Sequence, residues 1–280
     1  MSAPSVAARS AGVANPLAFL ALLRRHRHLI LRLAARRIEA QYRGSALGML
    51  WAVLQPLLLL AVYTFAFAFV LGATWSPDQA GKADFALFAF SGMLIFGVFS
   101  KPFVEAPNLM VANQTYIKQL VFPAEVLPWA SVLVALFDLA VGFALWAMLF
   151  VGMRGVPPVT WTLLPLVVLP AVLLALGASW LLSSLGVFLR DLSQIVSLAA
   201  TALFFLSPIV YPTSRIPEWL QPIYQINPIV GILEASKDVL FHGTVPNWSR
   251  FAVLLLVAWA TAWLGHAWFM RTKGSFADVL

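Results

Sequence analysis

Apolar positions are gathered into six long runs, 49–71, 85–100, 126–151, 161–189, 192–210 and 251–270. Each predicts a membrane-spanning helix, because about 20 mainly apolar residues cover the roughly 30 Å hydrocarbon layer with every backbone hydrogen bond internal. Two boundaries carry a polar complication. The second run is short unless its helix continues past Lys101 and Pro102, and the third contains Asp138.

The polar segments between the runs have patterns of their own. Over 16–43, Arg25, His28, Arg32, Arg36, Glu39 and Arg43 recur at helical spacing, opposite Leu22, Leu23, Leu29, Ile30, Leu33, Ala34 and Ile38. That pattern predicts an amphipathic helix in the membrane interface, with one face in acyl chains and its arginines at anionic headgroups. The loop 101–125 is long enough for a short helix around 113–121, a candidate docking point for a partner. Arg190 and Asp191 form an abrupt charged turn between runs four and five.

Five prolines, Pro212, Pro217, Pro222, Pro228 and Pro246, punctuate short apolar pieces after the fifth run. Asn227 is a capping residue before a proline preset for a first helical turn, and Gly243 is a stop. The expectation is a helix over 228–242, with 217–223 as a shorter partner in a re-entrant pair. The fold class is therefore all-α integral membrane, with six transmembrane helices, an N-terminal amphipathic interfacial helix and a re-entrant outer pair between spans five and six. The chain divides into a cytoplasmic N-terminus, 1–43, and a six-helix membrane domain, 44–280, with a coupling loop at 101–125 and an outer segment at 211–249.

Composition agrees with this pattern. Hydrophobic residues make up 61% of the chain and charged residues 10%, far from a soluble domain's roughly 25% charged. Of 18 basic residues, eight precede position 44, which suits a membrane surface better than nucleic acid. With six spans, thirteen basic residues fall on the side of the termini and five on the other, so both termini are expected in the cytoplasm. Arg24, Arg25, Arg27 and Arg32 interrupt the first apolar residues, and no cleaved signal peptide is expected. The chain has no Cys, which excludes disulfides and thiolate chemistry.

Catalytic apparatus is not visible in the sequence. No G-x-x-x-x-G-K-[ST] occurs, so if ATP drives this protein, another chain binds it. No HExxH, ligand-spaced His and carboxylate cluster or G-x-S-x-G is present, and no metal is expected. Asp138 lies well inside a span, where a carboxylate is either functional or neutralised by protonation or by a neighbouring helix. Tyr63 and Phe67 in the first span, with Phe204 in the fifth, either pack against lipid and helices or line a path on which sugar rings stack. Gly44, Ser45 and Gly48 lighten the entrance of the first span.

The run Gln41-Tyr42-Arg43-Gly44-Ser45-Ala46-Leu47-Gly48-Met49-Leu50-Trp51, followed by Gln55-Pro56, resembles the permease subunit of bacterial type 2 polysaccharide ABC exporters. These are the exporters of O-antigen, capsule and teichoic acid. Leu189-Arg190-Asp191-Leu192, Ser207-Pro208-Ile209-Val210-Tyr211-Pro212 and Asn227-Pro228 extend the resemblance over nearly the whole chain. It implies a homodimer in the bacterial inner membrane, bound to two copies of an ATP-binding subunit that carries ATP and magnesium. The implied substrate is a lipid-linked polysaccharide, such as undecaprenyl-linked O-antigen, moved from the cytoplasmic to the outer face; the chain itself is a transport subunit, not an enzyme. By the same resemblance Tyr42 and Arg43 border the cytoplasmic gate. Asn113, Tyr116, Ile117, Lys118 and Leu120 belong to a coupling helix, Arg190 and Asp191 mark a second contact, and spans one and five line the path. Two other readings stand beside it: a self-contained flippase or secondary carrier, for which flux would persist without an ATPase and depend on Asp138, and a membrane-embedded transferase, for which the purified chain would turn over substrate.

Overall fold

The computed structural model describes residues 16–45, 47–70, 72, 81–118, 122–211 and 216–279, and among them every regular element is helical. The first, α1, runs Ala18–Tyr42 with a kink at His26. Positive φ angles at Gly44 (85°) and Gly48 (50°) reverse the chain into α2, Trp51–Tyr63, which continues as π-helical turns over Thr64–Val70. A side chain at either glycine would strain that reversal.

Helix α3 spans Lys82–Leu109 and the short α4 spans Gln114–Ile117. They are followed by α5, Leu127–Arg154, and α6, Leu164–Gly186. Helix α7 covers Leu192–Phe205, α8 Gln221–Ile226 and α9 Pro228–Lys237, extended by a π turn over Asp238–His242. The chain closes with α10, Trp248–Thr272, and α11, Phe276–Val279.

Among the described residues, five helices are long and apolar enough to cross a membrane: Gly48–Val70, Asp84–Leu109, Ala124–Arg154, Val159–Gly186 and Trp248–Ser275. The run 192–210 forms helix only over the 14 residues of α7, about 21 Å at 1.5 Å per residue. Beyond Phe205, the backbone of Ser207, Ile209 and Val210 turns into the bundle and is buried. Non-helical backbone at membrane depth is tolerated where protein covers it.

The second run ends differently from its apolar length. Lys101, Pro102 and Pro107 all lie inside α3, because Asp138 on α5 neutralises Lys101 at 2.7 Å. The predicted loop 101–125 therefore contracts to the residues after Leu109. The amphipathic helix is also placed differently from its expected bed of acyl chains. Ile30 and Ala34 are buried, Leu22, Leu23, Leu29 and Leu33 pack on the hydrophobic core, and α1 lies against α5. Its predicted polar face, from Arg25 to Arg43, is exposed or nearly so.

Helix α6 is the centre of the packing, set against α10 and α3. A Cβ on Gly177 would lie 2.4 Å from the Thr261 carbonyl oxygen, and one on Gly265 would lie 2.1 Å from that of Gly177. At the other end of α6, a Cβ on Gly186 would meet the Pro107 carbonyl oxygen at 2.0 Å. Glycine is required at these points because backbone touches backbone, the arrangement that drives close helix association in lipid.

Opposite that end, α9 is held by aromatic packing. Phe241 stacks on Phe88 with ring centroids 3.7 Å apart and meets Trp146 edge-on at 5.5 Å. Arg154 lies 5.5 Å from the Phe241 centroid and pairs with Asp84 at 2.7 Å. The Trp161 indole N–H donates to the Leu240 carbonyl at 3.1 Å. As predicted, Asn227 caps α9, accepting from the Ile229 N–H at 3.0 Å, and Gly243 ends the element at φ 66°.

Gly177→Val is expected to lower the unfolding free energy by about 2 kcal/mol or more, the range for overpacking a tight contact. Gly152→Ala, where nothing lies within 4 Å of an added Cβ, is expected to be neutral or slightly stabilising. Thermal unfolding of the two variants in one detergent distinguishes them; equal melting would refute the close contact.

Candidate translocation path, cleft and coupling surface

The π-helical end of α2 sets Tyr63 and Phe67 with near-parallel rings 6.1 Å apart. Tyr63 also meets Phe204 of α7 at 5.6 Å, and Phe204 meets Phe96 of α3 at 5.6 Å. The series continues from Phe67 to Phe85 at 6.4 Å, and from Phe96 to Phe99 and Phe103. The three residues singled out in the sequence therefore share one aromatic cluster between α2, α3 and α7. All three are half-buried, while neighbouring Phe65, Phe69 and Phe205 are exposed. Such faces offer stacking surface without a fixed hydrogen-bonding geometry.

A cavity of about 130 Å³ lies behind α2, among the end of α1, α3 and α5. Tyr42 is buried at its margin. Burial, the charge of Asp138 and a hydrogen bond to that carboxylate hold the Tyr42 phenol above its usual pKa, so it stays protonated as a donor. Arg43, the next residue, is exposed. Asp138, whose pairing with a neighbouring helix was one of the alternatives, receives a hydrogen bond from the Lys101 ammonium at 2.7 Å.

At the end of the bundle where α3 and α6 finish, α1 grips the loop that carries α4. The Arg36 guanidinium donates to the Tyr116 hydroxyl, and Tyr116 stacks on Phe122 at 5.4 Å. Arg37 pairs with Glu105 at 3.5 Å, and the Ser131 hydroxyl donates to the same carboxylate. Asn113 donates to the Leu109 carbonyl at 2.8 Å, Ile117 packs on the core, and Lys118 is exposed. Leu120, with 119 and 121, lies outside the described residues, as does Pro212.

Arg190 and Asp191 are exposed in the turn between α6 and α7. The Gly186 contact with Pro107 puts that turn at the same end as α4. The C-terminal segment joins them there: Phe276 meets Phe188 edge-on at 6.4 Å, and Lys273 pairs with Glu125 at 3.3 Å. Sequence reasoning did not assign Arg37, Glu105, Gln41 or Gln55 to a site. Among the described residues no group of three His, Asp or Glu is placed to hold a metal.

Comparison with known proteins adds a relationship to this geometry. Residues 28–241 match the family model described as ABC-2 type transporter. An O-antigen export system permease protein of Klebsiella pneumoniae is 28% identical over 246 residues, 87% of this chain and 91% of the relative. Its counterpart in Myxococcus xanthus is 29% identical over 262 residues, covering 92% and 97% of the two chains. A polysialic acid transport protein of Escherichia coli is 25% identical over 248 residues, covering 85% and 90%.

The Lys101–Asp138 pair gives a direct test of the cleft. Lys101→Met is expected to destabilise by about 2 kcal/mol, because it leaves a mostly buried carboxylate without its cation. Lys101→Met combined with Asp138→Leu is expected to recover most of that loss, since removing both partners is often near neutral. Thermal unfolding decides: a double variant worse than the single one would show that the two side chains do not act on each other.

Proposed function

Because the chain belongs to the ABC-2 type transporter family, we propose that it is the membrane subunit of an exporter of a lipid-linked cell-surface polysaccharide. The observation that carries this reading is the alignment with O-antigen and polysialic acid transport proteins over 85% or more of this chain. The substrate is a glycan such as O-antigen on an undecaprenyl carrier, moved from the cytoplasmic to the outer face of the bacterial inner membrane. Two copies of this subunit act with two ATP-binding subunits, which hold the ATP and magnesium.

In this arrangement the segment 1–43 and both termini are cytoplasmic, and 44–280 is the membrane domain. Helix α7 with 206–210 makes a sixth crossing, and α8 with α9 forms the re-entrant pair on the outer side. Tyr42 and Arg43 flank the cytoplasmic gate, and Tyr63, Phe67 and Phe204 line the path. Stacking suits a polymer that must slide, because each ring contact is weak and tolerant of sugar identity. Asn113, Tyr116, Ile117, Lys118 and Leu120 receive the ATPase, with Arg190 and Asp191 as a smaller contact. The bond from Arg36 to Tyr116 supports this assignment, because it ties the docking loop to the helix that ends at the gate. Asp138, the acid a proton-driven carrier would need, is held by Lys101, which favours the ATP-driven reading over the self-contained carrier.

A pull-down of the tagged protein from its native membrane is expected to bring down a stoichiometric ATP-binding chain with ATPase activity. Recovery of the chain alone, with transport intact, would sink the exporter reading.

Phe67→Asp is expected to cut glycan export about tenfold or more while assembly with the ATPase survives, since a carboxylate placed among these rings abolishes the stacking surface. Export measured on whole cells, beside the amount of assembled complex, tests it; unchanged export would remove Phe67 from the path.

A further inference from the structure

After Thr272 the chain turns back onto the end of the bundle. Lys273, in the tight turn that follows α10, donates to both carboxylate oxygens of Glu125 at 3.3 Å. One turn later Phe276 is buried, edge-on to Phe269 at 5.3 Å and to Phe188 at 6.4 Å. The end of α10 is also stitched to the end of α6. The Trp268 indole N–H donates to the Ser184 hydroxyl at 3.1 Å, and that hydroxyl shares a hydrogen bond with the Thr272 hydroxyl at 2.8 Å.

The two residues that this segment holds stand beside the two candidate docking contacts. Glu125 lies at the return of the loop that carries α4, three residues after Phe122, on which Tyr116 stacks. Phe188 lies two residues before Arg190 in the turn between α6 and α7. Glu125 is fixed twice, because the Trp180 indole N–H donates to its carbonyl while Lys273 meets its side chain. The carboxylate is 11% exposed and Lys273 37%. Stability alone does not call for such a pair, since apolar side chains of similar volume often serve as well. An ion pair adds registry: the mostly buried carboxylate is stable where Lys273 meets it and costly elsewhere.

We propose that Lys273 and Phe276 form a clasp that holds the two ATPase-docking contacts at a fixed separation, so that a push received at either one moves this end of the bundle as one body. Both are positioning residues. Lys273 acts on Tyr116 through Glu125 and Phe122, and Phe276 acts on Arg190 and Asp191 through Phe188. The assignment rests on the export reading and adds to it a segment distant in sequence from either docking contact. Without the clasp each contact yields separately, and ATP is hydrolysed with less export.

The first measurement is hydrogen exchange, read by mass spectrometry on the full chain held in amphipol. Lys273→Met is expected to speed exchange about tenfold at 122–126 and to leave 187–191 unchanged, because it frees one docking contact only. Phe276→Leu, which keeps an apolar side chain in place, is expected to do the reverse. The second measurement is glycan export on whole cells relative to ATP hydrolysis by the purified complex. Each variant is expected to lower that ratio about threefold or more while the complex still assembles. Lys273→Glu combined with Glu125→Lys is expected to restore most of the loss. In this chain without cysteine, Ser184→Cys with Thr272→Cys can close the same junction covalently, and the oxidised form is expected to couple as the parent does. Unaltered exchange at both segments, a parental ratio in both single variants, a charge swap no better than Lys273→Met, or loss of export on oxidation would each overturn the clasp. The exchange measurement needs no ATP-binding partner, so a parent chain that brings down no ATPase sinks the export reading separately.

Discussion

Backbone contact along α6 governs the positions of the other elements. In lipid the hydrophobic effect does not draw one apolar helix to another, so association rests on close packing and on polar groups that find partners. Gly177 and Gly265 bring α6 and α10 together without intervening side chains, and Gly186 seats α6 on α3 at Pro107. Between those points Trp180 is fully buried, and its indole N–H donates to the Glu125 carbonyl at 3.1 Å. The Ser179 hydroxyl donates to the Pro102 carbonyl at 3.2 Å. Helix α3 can carry two prolines because its neighbour meets it this closely.

Polar side chains then act as ties between helices rather than as isolated charges. Asp84 with Arg154, Lys101 with Asp138, and Glu105 with Arg37 each join two elements. Such pairs add little net stability, but each is damaging when half broken. They therefore fix which helices are neighbours and at what height. The ties near Tyr42 connect α1, α3 and α5, the elements that enclose the cleft, while Arg36 extends the same connection to Tyr116 in the loop that carries α4. Movement of that loop and movement of α1 are consequently linked by a short chain of contacts.

Much of this was legible from the order of apolar and polar residues. The ends of α5, α6 and α10 fall within a few residues of their apolar runs, and the cap at Asn227 and stop at Gly243 lie where local chemistry puts them. The departures share one cause, contact between residues distant in sequence. Lys101 and Pro102 read as a helix end until Asp138, 37 positions away, neutralises the lysine. The apolar face of α1 reads as lipid-facing until α5 covers it. Helix α7 is short because Pro208 restricts the residue before it, and the burial of Ile209 against Gly92 has no trace in an apolar run. For the candidate site, the stacking of Tyr63 on Phe67 follows from four-residue spacing, whereas the meeting of Tyr63 and Phe204 depends on the tertiary fold. Gln41 and Gln55 gain meaning only from the cavity they share.

Helices α2 and α3 differ in a way that bears on transport. Of the most apolar stretch of α2, 11% is buried, against 61% for α3. A helix in lipid keeps its hydrogen bonds regardless of its neighbours, so α2 is stable as a helix while its position depends on few contacts. Those contacts are the aromatic rings near its π-helical end and the cleft near its start. The i→i+5 turns over Thr64–Val70 widen the helix where Phe67 joins the cluster, a feature common at functional sites. Among the described residues α2 is thus the least buried of the five long helices, bearing the aromatic cluster at one end and flanking the cleft at the other. The helices it lies against are α3 and α5.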